Sequence, residues 1–446
     1  MEFDSVMLSR LLTATTLLFH VIFATIGVGV PIMIAIAEFL GIKRKDPHYL
    51  LLARRWARGY TITVAVGVVT GTAIALQLSL LWPSFMQVAG QVIALPLFME
   101  TFAFFFEAIF LGIYLYTWDR FKNRWMHFLL TIPIVLGSFM SAFFITTVNA
   151  FMNTPQGFEI VNGETVNIDP LAAMFNPATP VKVFHVVASS YMTIALILAA
   201  IAAFTLLRNK GSIYHKKALR LTMISALIFT AATTFAGDLS AKFLAENQPE
   251  KLAAAEWHFE TETNADLVMF GTIDENGEIS NAIRIPSALS FLAGNSFDTE
   301  VIGLNEFPED ERPPLWIHYM FDLMVSIGMY SLFISGLFVL FMIVKRFNEW
   351  NKPLLWGIVA SGPLAMLAVE FGWIYAEVGR QPWILRGYMK VGEAATTSTD
   401  VGVALALFIG LYAFLAFFCV TVLIKMFKNK PAEAELEQRF PKGTID

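Results

Sequence analysis

Apolar residues run through this chain in long stretches separated by short polar connections, and neither strand alternation nor a one-sided helical stripe describes them. A helix that is apolar all round belongs in hydrocarbon or in the middle of a large core. Crossing the ~30 Å hydrocarbon of a bilayer takes about 20 helical residues. Stretches of that length recur nine times, near 11–39, 58–82, 92–117, 127–151, 182–207, 217–240, 315–345, 354–377 and 401–425. The pattern predicts an all-α integral membrane protein with nine transmembrane helices. The first stretch is expected to persist as a helix rather than be cleaved as a signal peptide, because MEFDSVMLSR has no basic leader and the following apolar run is too long.

Composition agrees: of 446 residues 56% are hydrophobic and 15% charged, where soluble domains are nearer a quarter charged. The charges then orient the chain, since cytoplasmic connections retain Lys and Arg. Lys43, Arg44, Lys45, Arg54 and Arg55 follow the first stretch; Arg120, Lys122 and Arg124 follow the third. Arg208, Lys210, Lys216 and Lys217 follow the fifth, and Lys345, Arg346 and Lys352 the seventh. With Lys425, Lys428 and Lys430 in the tail, this places the N-terminus outside and the C-terminus in the cytoplasm. His48, His127 and His215 fall in the basic connections.

One outer connection, 241–314, is far longer than a helix link needs and is expected to be functional rather than a spacer. It divides the chain into a six-helix region (1–240), an extracytoplasmic loop (241–314), a three-helix region (315–430) and a cytoplasmic tail (431–446). The single cysteine, Cys419, excludes a disulfide, a CxxC zinc site and covalent CxxCH haem attachment within the chain. No phosphate-binding glycine loop or nucleic-acid patch is present in the sequence.

Ionisable residues inside hydrocarbon are costly and are functional candidates by default. Glu100 and Glu107, in METFAFFFEAIF, are seven residues apart and share a helix face, as two steps of a proton relay or as a hydrogen-bonded pair of carboxyls would. Glu370, Trp373 and Glu377 form a second stripe, which ends in AEVGRQPW with Arg380. The intramembrane imidazoles are His20 and His185; each suits helix packing or axial ligation of haem iron, where a methionine thioether can complete the pair. In the orientation above, His20, His185, Glu100 and Glu377 all gather in the outer half of the membrane, beneath the long loop.

From these residues alone, a proton-coupled transporter competes with a redox enzyme. A copper oxidase or a bis-histidine two-haem cytochrome would need more membrane histidines. The motifs GWIYAEVGRQPW, LSRLLTATTLLFH, AFFFE followed by WDRF, GDLS and QPEKLAAAE resemble subunit I of cytochrome bd-type quinol oxidases, in consistent order from Arg10 to the last stretch. The resemblance implies a prokaryotic cytoplasmic-membrane terminal oxidase that takes electrons from a quinol and reduces O2 to water, with two haem b (one low-spin, one high-spin), one haem d and no copper. It implies His185 and Met324 as ligands of the low-spin haem b, with His20 and Glu377 as axial ligands of the two high-spin haems. Arg380 would bind near a haem, Glu100 and Glu107 would belong to the proton route, and Trp373 would lie between cofactors. Lys251 and Glu256 match the quinol-loop pair, in a loop of the short form. A second membrane subunit and a small single-helix subunit are the implied partners. One departure stands out: Asp322 occupies a position, two residues before Met324, where the resemblance leads one to expect arginine.

Overall fold

The computed structural model describes residues 4–208, 212–274, 277–344 and 346–440; Lys210 and Lys345, expected in the basic connections, lie outside them. Among the described residues nine helices are long and apolar enough to cross a membrane: Ser5–Lys43, Pro47–Leu81, Pro83–Tyr116, Arg124–Asn153, Thr179–Arg208, Ile213–Asn247, Ile317–Ile343, Lys352–Val378 and Val401–Asn429, here spans one to nine. Span four is interrupted, its first turn Arg124–Phe128 being separate from Thr131–Asn153.

The helices outrun the apolar stretches because polar caps lie beyond them. Asp4 accepts a hydrogen bond from the Met7 amide at 2.7 Å, and Asn351 accepts one from Leu354 at 2.9 Å, so each satisfies an otherwise orphaned first-turn donor. Asp46 does the same for His48 ahead of Pro47, which sits in the first turn where its missing N–H costs nothing. Span one, with 39 residues, is about 58 Å long at ~1.5 Å per residue, well beyond the hydrocarbon at its ends.

The basic connections meet on one face, and ion pairs join them there. Lys217 pairs with Asp46, Arg220 with Glu349 at 2.6 Å and Arg54 with Asp119 at 2.9 Å. The tail helix Ala432–Arg439 docks on the same face, where Glu435 meets Arg58 at 2.6 Å and Arg55 at 3.0 Å. His127 is not a solvated loop residue there: it is buried, with Nδ1 2.6 Å from Glu38 and Nε2 2.9 Å from the Tyr114 carbonyl.

On the opposite face the expected all-α fold acquires short antiparallel pairs. Glu159–Val161 pairs with Glu164–Val166, Leu267–Met269 with Ile283–Ile285, Thr272–Ile273 with Ile279–Ser280, and Trp383–Leu385 with Met389–Lys390. The first is a two-residue Asn-Gly turn, with Asn162 at φ 53° and Gly163 at φ 83°, the left-handed conformations that a tight hairpin needs. Span six continues to Asn247, so the long loop begins at Gln248 rather than at residue 241. Its opening segment is the short helix Pro249–Glu256.

Spans one, five, six, seven and eight contribute to the main core, where small residues bring backbones together. A Cβ on Gly29 of span one would lie 2.7 Å from the Ser190 carbonyl oxygen of span five, and one on Gly362 of span eight 2.7 Å from Ala200. Span nine is the least enclosed of the nine spans among the described residues.

Candidate functional site

Span one carries His20 against span two. His20 Nδ1 lies 2.9 Å from Thr70 Oγ1, and Thr70 also donates to the Val66 carbonyl at 3.0 Å. A hydroxyl has one proton to give, so with that proton on the helix carbonyl Thr70 accepts from His20. Nδ1 therefore carries the imidazole proton, and Nε2 keeps the lone pair that a metal would take. Gly71 makes room for the ring: a Cβ there would lie 3.2 Å from His20 Cε1.

His185 of span five lies against the backbone of span six, where a Cβ on Gly237 would stand 3.9 Å from its Cε1. Its Nδ1 is buried without a hydrogen bond of ordinary geometry. Met324 of span seven packs on span eight, its Sδ only 2.9 Å from the point where Gly372 lacks a Cβ. Trp373 follows, half-buried, one turn before Glu377.

Glu377 accepts from Arg380 Nη2 at 2.7 Å and from Asn149 Nδ2. Asn149 Oδ1 in turn accepts from Lys182 Nζ at 2.9 Å. Arg380 is buried, and its Nε and Nη1 have no partner among the described residues, nor do both carboxylate oxygens of Glu370 and the Tyr375 hydroxyl. Orphaned buried groups are costly in a finished interior. The orphaned nitrogens of Arg380, beside Glu377, mark a place where a further anionic group could bind.

Deeper on span three, the two carboxylates occupy different surroundings. Glu100 accepts from Ser141 at 2.9 Å. Glu107 is buried against Gly137 of span four and hydrogen-bonds Tyr60, whose hydroxyl also reaches the Gly27 carbonyl at 2.8 Å. A neutral Glu107 can donate to Tyr60 while Tyr60 donates to Gly27; an ionised Glu107 takes the Tyr60 proton instead. Movement of one hydroxyl proton thus registers the charge of Glu107.

The outer loop is packed where it begins, whereas residues 260–264 and 283–286 are exposed. Residues 251–258 are all buried. Lys251 Nζ donates to the Ala376 carbonyl at 3.0 Å and lies 4.8 Å from the Tyr375 ring centroid. Burial pushes its pKa down to about 8. Glu256 is also enclosed; burial and the nearby Asp322 raise its carboxyl well above the usual range. The two do not pair with each other, in keeping with their spacing of five along the helix.

Asp322 has a definite place in this packing. It accepts from the Phe270 amide of the loop at 2.5 Å and lies 3.2 Å from His318 Nε2, while His318 Nδ1 donates to the Ala255 carbonyl at 2.6 Å. It therefore ties the loop to the helix that bears Met324. Sequence reasoning missed Asn149, Lys182 and Tyr60. The first was an amide within a predicted span, a signal open to reading; the second sat at a span edge, and Tyr60 passed as an aromatic filler.

The expected ligands thus lie on four spans, one, five, seven and eight, and among the described residues no three His, Cys, Asp or Glu side chains gather to hold a bare metal ion. Isolated axial donors suit a metal that brings its own equatorial ligands, as haem iron does. A buried guanidinium with two free nitrogens suits the carboxylates such a group carries.

Residues 8–431 match the family model described as cytochrome bd terminal oxidase subunit I. A Bacillus subtilis chain whose name assigns it to subunit I of a cytochrome bd menaquinol oxidase is 43% identical over 438 residues, covering 97% of this chain and 99% of that one. A second Bacillus subtilis chain, cytochrome bd ubiquinol oxidase subunit 1, is 33% identical over 457 residues, 99% of this chain and 97% of its own. The solved bd oxidase of Geobacillus thermodenitrificans superposes with a TM-score of 0.93 at 63% identity, covering 96% of this chain and 99% of that one.

Proposed function

The chain belongs to the cytochrome bd terminal oxidase subunit I family, and on that premise we propose that it oxidises a membrane quinol at the outer face and delivers the electrons to haem, where O2 is reduced to water. It is a multi-pass membrane protein and a quinol oxidase subunit; the transporter reading of its buried carboxylates gives way to that membership.

His185 and Met324 would hold a low-spin haem b, while His20 and Glu377 would hold a high-spin haem b and a haem d. Bound there, haem irons supply one-electron transfer and the reduction of dioxygen. The protein's own part follows from its side chains. Thr70 fixes the tautomer of His20. Asn149 and Arg380 fix the Glu377 carboxylate, and Arg380 keeps two nitrogens for a second anion.

Glu107 and Glu100 would hold protons rising from the cytoplasm, with Tyr60 and Ser141 as hydrogen-bond partners. Because quinol protons would leave outside and those for water would come from inside, charge separates without a pump. The N-terminus outside and C-terminus inside, with 1–240 and 315–430 as membrane regions around the 241–314 quinol loop, is supported by the shared basic face. Subunit II, and a small single-helix subunit, would cover apolar faces such as that of span three, where Phe98, Phe102 and Phe105 are exposed. The setting would be a prokaryotic cytoplasmic membrane.

One observation carries this reading: Lys251 of the loop donates to the Ala376 carbonyl, so a quinol-loop residue is anchored one residue from a haem-ligand candidate, Glu377. A visible spectrum of the purified complex and parallel oxygen-consumption assays test it. Haem b and chlorin bands are expected, and Lys251→Ala should lose quinol-driven but not artificial-donor-driven oxygen uptake. A protein without haem bands would overturn the proposal.

A further inference from the structure

Where the short helix Pro249–Glu256 ends, the loop holds a cleft of about 320 Å³. Glu256 lines it, only 2% exposed, with Oε2 buried and without a partner among the described residues. Glu260, Glu262 and Asp266 line the same cleft, the first two exposed, with His258 beside them and Arg284 as its one cationic lining residue among those described.

Two of these carboxylates are held in place. Glu260 accepts from Asn305 at 2.7 Å, and Asp266 accepts from the Ser287 amide at 3.0 Å. Behind Glu256 stand Asp322 and His318 of span seven and Tyr375 of span eight, while Lys251 on its own helix turns away to Ala376. Trp257, Phe259, Val268 and Ile279 line the cleft as well, but four acids share it, and the long apolar tail of a quinol would have to strip them of water. A proton leaving a buried carboxyl for water needs such acids.

We infer that this cleft is the exit for the protons released by quinol oxidation, with Glu256 at its inner end and Glu260, Glu262 and Asp266 as the acceptors that pass them to the outer water. The inference rests on the quinol-loop reading. Each quinol loses two O–H protons and two electrons and becomes quinone. The protons go in turn to the Glu256 carboxylate and through cleft water to the outer acids; the electrons go to the oxidised haem that the oxidase supplies. The raised pKa of Glu256 suits a group that holds a proton before passing it on.

The test uses the purified holo complex with a short-chain quinol and compares the parent, Glu256→Gln, and the triple change Glu260→Gln, Glu262→Gln, Asp266→Asn. The amides keep size and hydrogen bonding but cannot relay a proton by ionising. In the triple variant, kcat should fall about a hundredfold, the lower end of what positioned proton-transfer groups contribute, with KM for quinol and the haem spectrum unchanged. Added imidazole should restore the rate as a diffusible proton carrier, and the solvent deuterium isotope effect should rise. If the triple variant keeps the parent's kcat and isotope effect while Glu256→Gln is impaired, the exit assignment is overturned and the quinol reading stands. If KM rises and no buffer rescues, the cleft binds quinol and the exit assignment is again overturned. If Glu256→Gln oxidises quinol like the parent, the quinol reading itself fails.

Discussion

Gly372→Ala places a methyl group hard against the sulfur of Met324. A Cβ on Gly372 would fall 2.9 Å from Sδ and 3.7 Å from Cγ. Non-bonded heavy atoms rest at about 3.5–4.0 Å, so the sulfur must retreat by about 0.6–1.1 Å, or the two spans must part. An unbranched thioether yields more readily than packed backbone, so the side chain is the part that moves. Metal–ligand distances tolerate about 0.2 Å, and a displacement several times larger breaks a bond from Met324 to iron. Helix stability itself should not suffer, because alanine in a helix interior is favoured over glycine by roughly 0.5–1 kcal/mol. The assay is a reduced-minus-oxidised spectrum of the purified complex: the low-spin haem b band should be lost or become high-spin while total haem is retained, as in Met324→Leu. Gly410→Ala, where a Cβ meets nothing within 4 Å, is the control and should leave the spectrum unchanged. An unaltered low-spin band in Gly372→Ala would refute the placement of the Met324 sulfur on the iron.

Glu107→Gln should slow proton uptake and charge separation more than it changes quinol KM, and Tyr60→Phe should do the same to a smaller degree; turnover at the parent rate in both would remove this pair from the proton route. Glu377→Ala should deplete a high-spin haem on pigment analysis, whereas Glu107→Gln should retain all three. Lys251 is charged below its pKa of about 8, so quinol KM should rise as pH passes through that value if the ammonium contacts quinol, and Lys251→Arg should abolish this pH dependence. In the tail, burial works against the Glu435 carboxylate, but Arg58 and Arg55 hold its pKa below the ordinary value of 4.5. Its stabilisation is therefore complete above that value and lost as pH falls through the lower folded value. Glu435→Gln should lower resistance to thermal inactivation at pH 7 by about 1 kcal/mol, and the difference from the parent should vanish in acid.

The nine membrane helices were legible because hydrocarbon demands length and apolarity, and both are written in composition. Their ends were less so. Hydropathy falls where the apolar run stops, but Asp4, Asp46 and Asn351 carry the helix onward, and such caps show only when sought as polar residues ahead of a run. The hairpin in IVNGETV had a readable signal in its Asn-Gly pair, overlooked because the surroundings were helical. Among site residues, those with ionisable side chains in apolar surroundings stood out, and the resemblance distinguished Met324 among 19 methionines. Asn149 did not stand out, because its partner Glu377 is 228 residues away and no local pattern joins them.

The stretch AEVGRQPW is intelligible once its neighbours are known. Glu377 is fixed from both sides, by Asn149 across the helices and by Arg380 one turn on. Gly379 leaves the space through which the loop lysine passes: a Cβ there would stand 2.8 Å from Lys251 Cε. Trp383 begins the strand pair Trp383–Leu385 and Met389–Lys390. Arg386, in the turn between those strands, grips both carboxylate oxygens of Glu250, at 2.7 and 2.9 Å, and the Asn247 carbonyl at 2.6 Å. The end of span eight and the start of the loop are thereby one mechanical unit. A bidentate guanidinium fixes orientation as well as distance, so the helix that presents Lys251 and Glu256 is held at a set angle to Glu377. A long flexible loop would lose much of any contact energy to the entropy of ordering itself. This one is ordered beforehand by backbone contacts to span eight and, through Asp322, to span seven. A short loop can therefore serve as a binding element, because the membrane helices do the work of positioning it.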